Sequence, residues 1–345
     1  MKLPVTKTLV DTATWAAASD QQITLPNEGA ITRIVIHYSL TVTACLAADT
    51  NCEFAQWKPI QNLRIEGGGG RTYLGAVGEQ MGRILHFINQ RDFPGRIFQR
   101  GMGTDTVYGT IILHFGSRPR DMYGRDNPFD LTAFIPAAEE SPNGLKLTWT
   151  TTQAADVCDS AIDISAGTME ATVYEVLGLP SMAGMMPASS TDTYPHTGDI
   201  SDPGHQFDVP TGRYLRRIFI LQQDDTAMTS FGPLVSGDEI GQVILELSKD
   251  NRRLIQEDWD ALISDPGIPR EVALTAAGAV TKPVEQIVAG FGVVDLRKYA
   301  HPDYGLDLRA YQTSDVKLGV TIQNYASGDD TIIFYDMVTP YAGRR

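Results

Sequence analysis

The stretch Asp130-Leu131-Thr132-Ala133-Phe134, followed by Lys146-Leu147-Thr148-Trp149-Thr150, has a close counterpart later in the chain. There, Asp307-Leu308-Arg309-Ala310-Tyr311 is followed by Lys317-Leu318-Gly319-Val320-Thr321. Both places combine a D-L-x-A-aromatic segment with a K-L-x-apolar-T segment, in the same order. Alternation of apolar and polar residues is typical of half-buried β-strands, so each place predicts two strands joined by a turn-rich gap. A chain that repeats this pair is predicted to contain a duplicated all-β unit.

Length and composition favour two globular domains. The chain has 345 residues, of which 42% are hydrophobic and 20% are charged, which is enough to form two cores. Its 32 glycines and 19 prolines predict many turns between short strands. With 28 Lys and Arg against 42 Asp and Glu, the net charge is −14. That charge repels phosphate backbones, so no sequence-specific binding of nucleic acid is expected.

The cysteines and the N-terminal sequence bear on the compartment. Cys45, Cys52 and Cys158 are an odd number without a C-x-x-C pair, which favours three thiols over a disulfide scaffold or a zinc site, with one bridge as the alternative. The segment from Met1 to Ala18 lacks the apolar core of a signal peptide, and charges or turns interrupt every apolar stretch. We expect a soluble protein that is not exported through a signal sequence.

Hydrophobic periodicity predicts the same order of elements in both halves of the chain. The predicted strands of the first half are Gln22–Leu25, Thr32–Ala44, Ile60–Glu66, Tyr108–Phe115, Leu131–Ile135, Leu145–Thr151 and Met169–Leu177. Those of the second half are Phe207–Val209, Tyr214–Gln222, Ile240–Ser248, Gln286–Leu296, Asp307–Tyr311, Val316–Tyr325 and Thr331–Val338. Apolar residues at helical spacing predict one helix in each half, at Ala76–Asn89 and at Asn251–Ser264.

This order predicts an all-β fold of two tandem eight-stranded jelly rolls, each with one short helix between strands. The predicted domains are an N-terminal arm at 1–20, a first jelly roll at 21–180 and a second at 206–340. Residues 181–205, rich in Pro, Gly, Ser, Thr and Met, are predicted to be a linker, and residues 341–345 a C-terminal tail.

No motif indicates catalysis or a cofactor, so the chain is not expected to be an enzyme. The run Gly67 to Gly70 lacks the Lys-Ser/Thr of a phosphate-binding loop and predicts a turn or a bulge. The six histidines show no metal-ligand spacing, and no G-x-S-x-G sequence occurs. Adjacent acids at Asp224-Asp225, Glu257-Asp258 and Asp329-Asp330 could form a hydrolytic pair, although adjacent carboxylates are more typical of solvated charge.

Asp121, Asp126 and Asp130 lie close together in the loop that precedes the predicted strand at Leu131. Several carboxylates on a flexible segment are the ligands that calcium prefers, so one interpretation is a metal site that stiffens the loop. The other interpretation, which we favour, is a solvated turn in which Arg120 and Arg125 partly neutralise the acids.

The predicted organisation resembles that of the double jelly-roll major capsid proteins of icosahedral viruses, many of which contain an internal membrane. It consists of two tandem jelly rolls with one helix in each, a linker between them and no catalytic motif. The resemblance covers roughly Gln21 to Pro340 and depends on architecture rather than on a short motif. It implies a homotrimer whose six similar barrels form a pseudo-hexagonal capsomer that tiles the shell. The implied location is the virion, assembled in the host cytoplasm, with minor capsid or penton proteins and an internal lipid membrane as further partners.

The same resemblance implies that loops form the assembly surfaces. The candidate loops are Gly116–Pro128, Ala47–Lys58, Gln223–Asp238 and Pro266–Pro283, and the candidate interface residues are Lys2, Lys7, Met122, Phe231, Arg344 and Arg345. The basic residues at the two ends would contact anionic lipid or nucleic acid, or would be solvated termini.

The alternative function is a double jelly-roll hydrolase or carbohydrate-binding module that acts on glycans, because a fold alone does not decide function. Such proteins tend to be secreted and disulfide-bonded, with acids and a tryptophan in a cleft. The absent signal peptide, the sparse cysteines and the dispersed tryptophans do not favour this alternative.

Overall fold

The structure is a computed structural model that describes residues 4–43, 59–75, 105–152, 163–178, 184–223, 240–250, 252–263, 291–325 and 330–341. The strands of the first half are β1 (Val5–Thr14), β2 (Asp20–Thr24), β3 (Ala30–Thr43), β4 (Ile60–Glu66), β5 (Thr72–Gly75), β6 (Asp105–His114), β7 (Lys146–Thr151), β8 (Asp163–Val176) and β9 (Gly184–Pro187). Those of the second half are β10 (Ser190–Pro195), β11 (Ile200–Asp208), β12 (Tyr214–Gln223), β13 (Ile240–Leu247), β14 (Arg252–Asp258), β15 (Phe291–Asp295), β16 (Leu306–Asp307), β17 (Val316–Ile322) and β18 (Asp330–Tyr341). One short α-helix, α1 (Trp259–Ile263), is described, and no helix in these ranges is long and apolar enough to cross a membrane.

The first compact unit contains the described residues up to Ser189, with residues 340–341. It has two four-stranded antiparallel sheets, in the orders β1-β8-β3-β6 and β2-β7-β4-β5. Along β3, Ile34, Ile36, Tyr38 and Leu40 occupy every second position and are buried, so one face of this sheet lies in a core. The indole Nε1 of Trp149 on β7 donates to the sulfur of Met169 on β8 at 3.2 Å, which joins the two sheets across that core.

The second compact unit contains the described residues from Ser190 to Thr339. Its sheets have the orders β10-β18-β12-β15 and β11-β17-β13-β14, and β16 adds to β12. Ile218 and Ile220 of β12 share one buried cluster with Val243 of β13 and Val320 of β17. Each of the eight strands in the two sheets of the first unit therefore has a counterpart at the same place in the second. The predicted fold class, two tandem jelly rolls, is confirmed.

Of the two repeated motifs that predicted this duplication, only one forms a strand in each unit. The K-L-x-apolar-T segments are β7 and β17, at the same position in their sheets. The D-L-x-A-aromatic segments were predicted as strands, and this is wrong for both Leu131–Ile135 and most of Asp307–Tyr311. The carboxylate of Asp130 accepts from the Thr132 amide at 2.9 Å, and that of Asp307 accepts from the Arg309 amide at 3.1 Å. An aspartate that binds the amide two residues later forms a turn, so the chain does not continue as a strand through these segments.

The predicted helix at Asn251–Ser264 is largely wrong. Residues Arg252–Asp258 form β14 at a sheet edge, and among the described residues of this span the helix is limited to Trp259–Ile263. Ile255, Trp259 and Leu262 do enter the same core, so their spacing imitated a helical face although Ile255 projects from a strand. The other predicted helix, Ala76–Asn89, lies outside the described residues.

Two of the segments predicted to lie outside the jelly rolls contain strands. The segment 1–20, predicted as an arm, contains β1, which pairs antiparallel with β8 from Val5 opposite Val176 to Thr14 opposite Thr168. No residue of this edge strand is buried, so its sequence has no apolar alternation to reveal it. The predicted linker 181–205 contains β9, β10 and the start of β11.

The glycine run is confirmed as the turn between β4 and β5. Gly69 and Gly70 have φ of +76° and +78°, a conformation that favours glycine. A Cβ on Gly67 would lie 2.6 Å from a carboxylate oxygen of Glu140. That carboxylate accepts from the Gly68 amide at 2.6 Å and from the Tyr73 hydroxyl at 2.5 Å, so it fastens the turn.

Candidate functional site

The connection between β6 and β7 contains a small hairpin, Pro119–Asn127, which we call the tip hairpin. The Asp121 amide donates to the carbonyl of Arg125 at 2.8 Å, and the Asn127 amide donates to that of Pro119 at 2.9 Å. Gly124, at φ +76°, makes the reversal. Two backbone hydrogen bonds within the loop therefore close the hairpin.

The side chain of Asp121 holds the turn of the tip hairpin. One carboxylate oxygen accepts from the amides of Tyr123 and Arg125, both at 2.9 Å, and the other accepts from the Arg125 Nε at 2.8 Å. Desolvation raises the pKa of Asp121, but these hydrogen bonds from Arg125 and Tyr123 outweigh it and lower the pKa. A charged aspartate at this position therefore favours the closed hairpin.

Two large apolar side chains lie at the end of the tip hairpin. Met122 is 88% exposed and Tyr123 is 75% exposed. The guanidinium of Arg125 lies 5.0 Å from the centre of the Tyr123 ring, a cation–π distance. The tip therefore presents a methionine and an arginine-supported tyrosine in a defined arrangement.

The base of the tip hairpin is anchored by a buried arginine on β3. Arg33 is 3% exposed, and it donates to Asp126 at 2.8 Å and to the Nδ1 of His114 at 3.3 Å. Its guanidinium also lies 5.8 Å from the centre of the Tyr174 ring. Because Nδ1 accepts this bond, the neutral ring of His114 carries its proton on Nε2, which lies 3.5 Å from Asp130.

Asp130 fixes the return of the loop toward β7. Its carboxylate accepts from the amide of Arg118 at 2.6 Å and from the amide of Thr132 at 2.9 Å. Burial raises the pKa of Asp130, but hydrogen bonds from His114 and from these amides outweigh burial and lower it. A Cβ on Gly116 would lie 2.1 Å from this carboxylate, so only glycine fits there without displacement.

The three candidate metal ligands do not converge. Asp121 binds Arg125, Asp126 binds Arg33, and Asp130 binds His114 and backbone amides. Within the described ranges, no group of three His, Cys, Asp or Glu side chains could hold a metal ion. The geometry matches the favoured interpretation in part, because Arg125 neutralises Asp121, while Arg120 donates to the Gly124 carbonyl.

A second sequence repeat, missed in the sequence analysis, places an equivalent arginine in the second unit. Residues 31–36 read I-T-R-I-V-I and residues 215–220 read L-R-R-I-F-I. Both segments have a β-bulge before the arginine, Arg33 on β3 and Arg217 on β12. Arg33 pairs with His114 and Tyr174 on the neighbouring strands, and Arg217 pairs with Asp295 and Asp336 at the same places. The shared R-I-x-I was the available signal.

The bulge in β12 brings two arginines to one buried carboxylate. Asp336 accepts from Arg216 Nε at 3.1 Å and from Arg217 Nε at 2.6 Å. Burial raises the pKa of Asp336, but the charges of Arg216 and Arg217 outweigh it and lower the pKa to about 2. Burial is also the main reason that the pKa of Arg217 falls to about 10.

The connection between β15 and β17 is the counterpart of the loop that carries the tip hairpin. Asp295 accepts from the Arg297 amide at 3.1 Å and caps a 3₁₀ turn at Leu296–Lys298. His301 and Gly305 exchange two backbone hydrogen bonds of 3.1 and 2.7 Å. Between them and the 3₁₀ turn, Tyr299 is 66% exposed, so both connections present an exposed tyrosine.

The remaining interface candidates are scattered or lie outside the described residues. Lys7 is on β1, with its ammonium 5.6 Å from the centre of the Tyr174 ring. Lys2, Phe231, Arg344 and Arg345 lie outside the described residues, as do the loops Ala47–Lys58, Pro266–Pro283 and all of Gln223–Asp238 except Gln223.

Two tandem jelly rolls of eight strands, in the same order in both units, define a double jelly-roll protein. The solved structures that share this fold include viral capsid proteins. The STIV MCP matches with a TM-score of 0.69 and 15% identity over 97% of each chain. A chain of Sulfolobus Turreted Icosahedral Virus gives 0.69 and 14%, over 97% of this chain and 90% of that chain. A chain of the PBCV-1 virus capsid gives 0.64 and 9%, over 100% and 98%. No protein-family model matches the sequence, and a search of curated proteins finds no match.

Proposed function

We propose that this chain is a structural capsid protein that assembles with copies of itself into the shell of an icosahedral virus. The observation that carries the proposal is the extent of the likeness to the STIV MCP, 97% of both chains. Because the match spans both jelly rolls in both proteins, the feature that they share is the duplicated fold, and not a single jelly roll of a widespread type.

The duplication suits a shell that is built from near-hexagonal tiles. Two similar barrels in one chain allow three copies to present six similar outlines around a threefold axis, and such a capsomer packs by side contacts. We infer a homotrimer as the building block, with neighbouring capsomers and minor capsid or penton proteins as partners. The assembled protein would reside in the virion, with assembly in the host cytoplasm.

We infer that the termini are the parts that contact an internal lipid membrane, if the virus has one. Lys2, Lys7, Arg344 and Arg345 place positive charge at both ends of a chain whose net charge is −14. Basic residues are attracted to anionic lipid surfaces.

The described charged groups favour a structural role over hydrolysis. Buried carboxylates such as Asp130 and Asp336 are bound by amides or arginines, so they stabilise the fold. Of the three adjacent acid pairs considered as hydrolytic, Glu257-Asp258 is the one that lies entirely in the described ranges. It is on an edge strand, where Asp258 accepts from the side chain of Gln242 at 3.1 Å. The hydrolase alternative gains no support from the comparisons reported above.

The oligomeric state in solution tests the proposal. Size-exclusion chromatography with light scattering of the full chain should give a mass of three times 37.7 kDa, or a larger assembly. Electron micrographs of concentrated samples should then contain pseudo-hexagonal tiles. A protein that stays monomeric at micromolar concentration would contradict the capsid function and favour an enzyme or a binding module.

A further inference from the structure

We propose that the tip hairpin is a docking element that places Met122 and Tyr123 against an acidic surface of a second copy of this chain. The proposal rests on the capsid function proposed above and specifies one contact of the assembly.

The first argument is the exposure of adjacent apolar side chains. Met122 and Tyr123 are 88% and 75% exposed, so burial against a partner would remove most of their surface from water. Methionine, tyrosine and arginine are enriched at protein interfaces, and tyrosine and arginine dominate their hot spots. The tip combines all three, because Arg125 lies over the Tyr123 ring.

The second argument is that the tip hairpin is already ordered. Asp121 binds two amides and the guanidinium of Arg125, and Arg33 ties Asp126 to β3. Side chains that are held in place before binding lose less conformational entropy when they dock.

The third argument identifies the occupant by charge. The loop Gly116–Pro128, which contains the tip hairpin, has three arginines (Arg118, Arg120 and Arg125) and two aspartates (Asp121 and Asp126), whereas the whole chain has a net charge of −14. This loop is therefore a locally cationic feature of an anionic protein. An anionic surface of a second copy complements it, and complementary charge steers association and selects orientation.

The test compares two double variants of the full chain by analytical ultracentrifugation over a concentration series. Met122→Ser with Tyr123→Ser removes the apolar tip, whereas Met122→Leu with Tyr123→Phe keeps its size and character. Both pairs are exposed, so neither variant disturbs a core. We expect the serine variant to self-associate at least about tenfold more weakly than the parent, and the Leu/Phe variant to stay within about twofold.

Two results would overturn the proposal in distinguishable ways. If the parent associates and the serine variant associates equally well, the docking role is wrong while the capsid function stands. If the parent remains monomeric, both are wrong.

A photo-crosslinking residue, benzoylphenylalanine in place of Tyr123, identifies the occupant directly. Irradiation of the purified protein should give a covalent dimer of the chain, with the crosslinked peptide in an acidic segment. A crosslink confined to the same copy, or to a basic segment, would contradict the assignment.

Discussion

Arg33 and Arg217 follow the same β-bulge in the two units, but their partners differ. Arg33 faces a neutral histidine and one largely exposed aspartate, Asp126, whose side chain is 65% exposed. Arg217 lies beside Asp295 and Asp336, so its surroundings contain full opposite charges. A buried charge is tolerated only when it is paired, and the second unit therefore depends more on its ion pairs.

We predict that Asp336→Asn strongly destabilises the protein, because Arg216 and Arg217 then lose their shared buried anion. Removal of one member of a buried ion pair costs about 3–5 kcal/mol. The matched control is Asp307→Asn, which removes an exposed pair with Arg309 but keeps an acceptor for the turn, and this should cost less than about 1 kcal/mol. Urea denaturation measures both free energies of unfolding.

The same variant has a defined dependence on pH. The folded-state pKa of Asp336, about 2, lies below its ordinary value of 3.8. Its ion pairs therefore stabilise the protein above about pH 4, and this contribution is lost as the pH falls toward 2. Between pH 4 and 2 the parent should lose more stability than Asp336→Asn. Equal losses would show that Asp336 is not the group that titrates.

At the scale of elements, the tip hairpin depends on short-range chemistry. Its turn requires the positive φ of Gly124 and the carboxylate of Asp121, and both are local to a nine-residue segment. Its placement depends on Arg33, which is far away in the chain. Local backbone conformation and hydrogen bonds thus form the hairpin, and a residue distant in sequence anchors it to the sheet.

We predict that Asp121→Ala opens the tip hairpin without unfolding the unit. The amides of Tyr123 and Arg125 lose their shared acceptor, so their hydrogen exchange should accelerate by at least about tenfold. Asp11→Ala is the control, since Asp11 accepts only from the adjacent Thr12 amide on the exposed strand β1. Unchanged exchange at both amides would mean that the backbone bonds alone hold the turn.

At the scale of the whole molecule, duplication means that equivalent positions of the two cores contribute similarly to the free energy of unfolding. Leu147 on β7 and Leu318 on β17 follow the lysines of the repeated K-L motif, and both are fully buried. Their strands are at the same position in their sheets.

We predict that Leu147→Ala and Leu318→Ala each destabilise the protein by about 2–5 kcal/mol, because each leaves a cavity in a core. Thr12→Ala on the exposed strand β1 is the control and should change stability by less than about 0.5 kcal/mol. Thermal and urea unfolding measure the three variants. A large cost for one leucine and none for the other would argue against equivalent cores.

Much of the fold was predictable because β-strands with one buried face alternate in sequence. The strands β3, β12, β13 and β17 lie close to their predicted positions, since their apolar residues point to a core at every second place. The edge strand β1 was missed because none of its residues is buried. The edge strand β14 was mistaken for part of a helix because its apolar residues have a helical spacing. Edge strands exist by pairing with a neighbour, which a single sequence does not reveal.

The candidate site was predictable only at its tip. Met122 is exposed at the end of a loop, as the sequence predicts, and the same loop holds the acids that were considered as metal ligands. Their separation into different partners was not predictable, because Arg33 and His114 reach them from strands that are distant in the chain.

By itself, the sequence determined that this protein is all-β, is duplicated and has no recognisable catalytic motif, because alternation, repetition and motif spacing are local properties that can be read along the chain. Only the tertiary structure decided which carboxylates are buried against arginines, which segments are edge strands and which apolar residues remain in contact with water. Those properties arise between residues far apart in sequence, since burial and ion pairing depend on the sheets that the folded chain brings together.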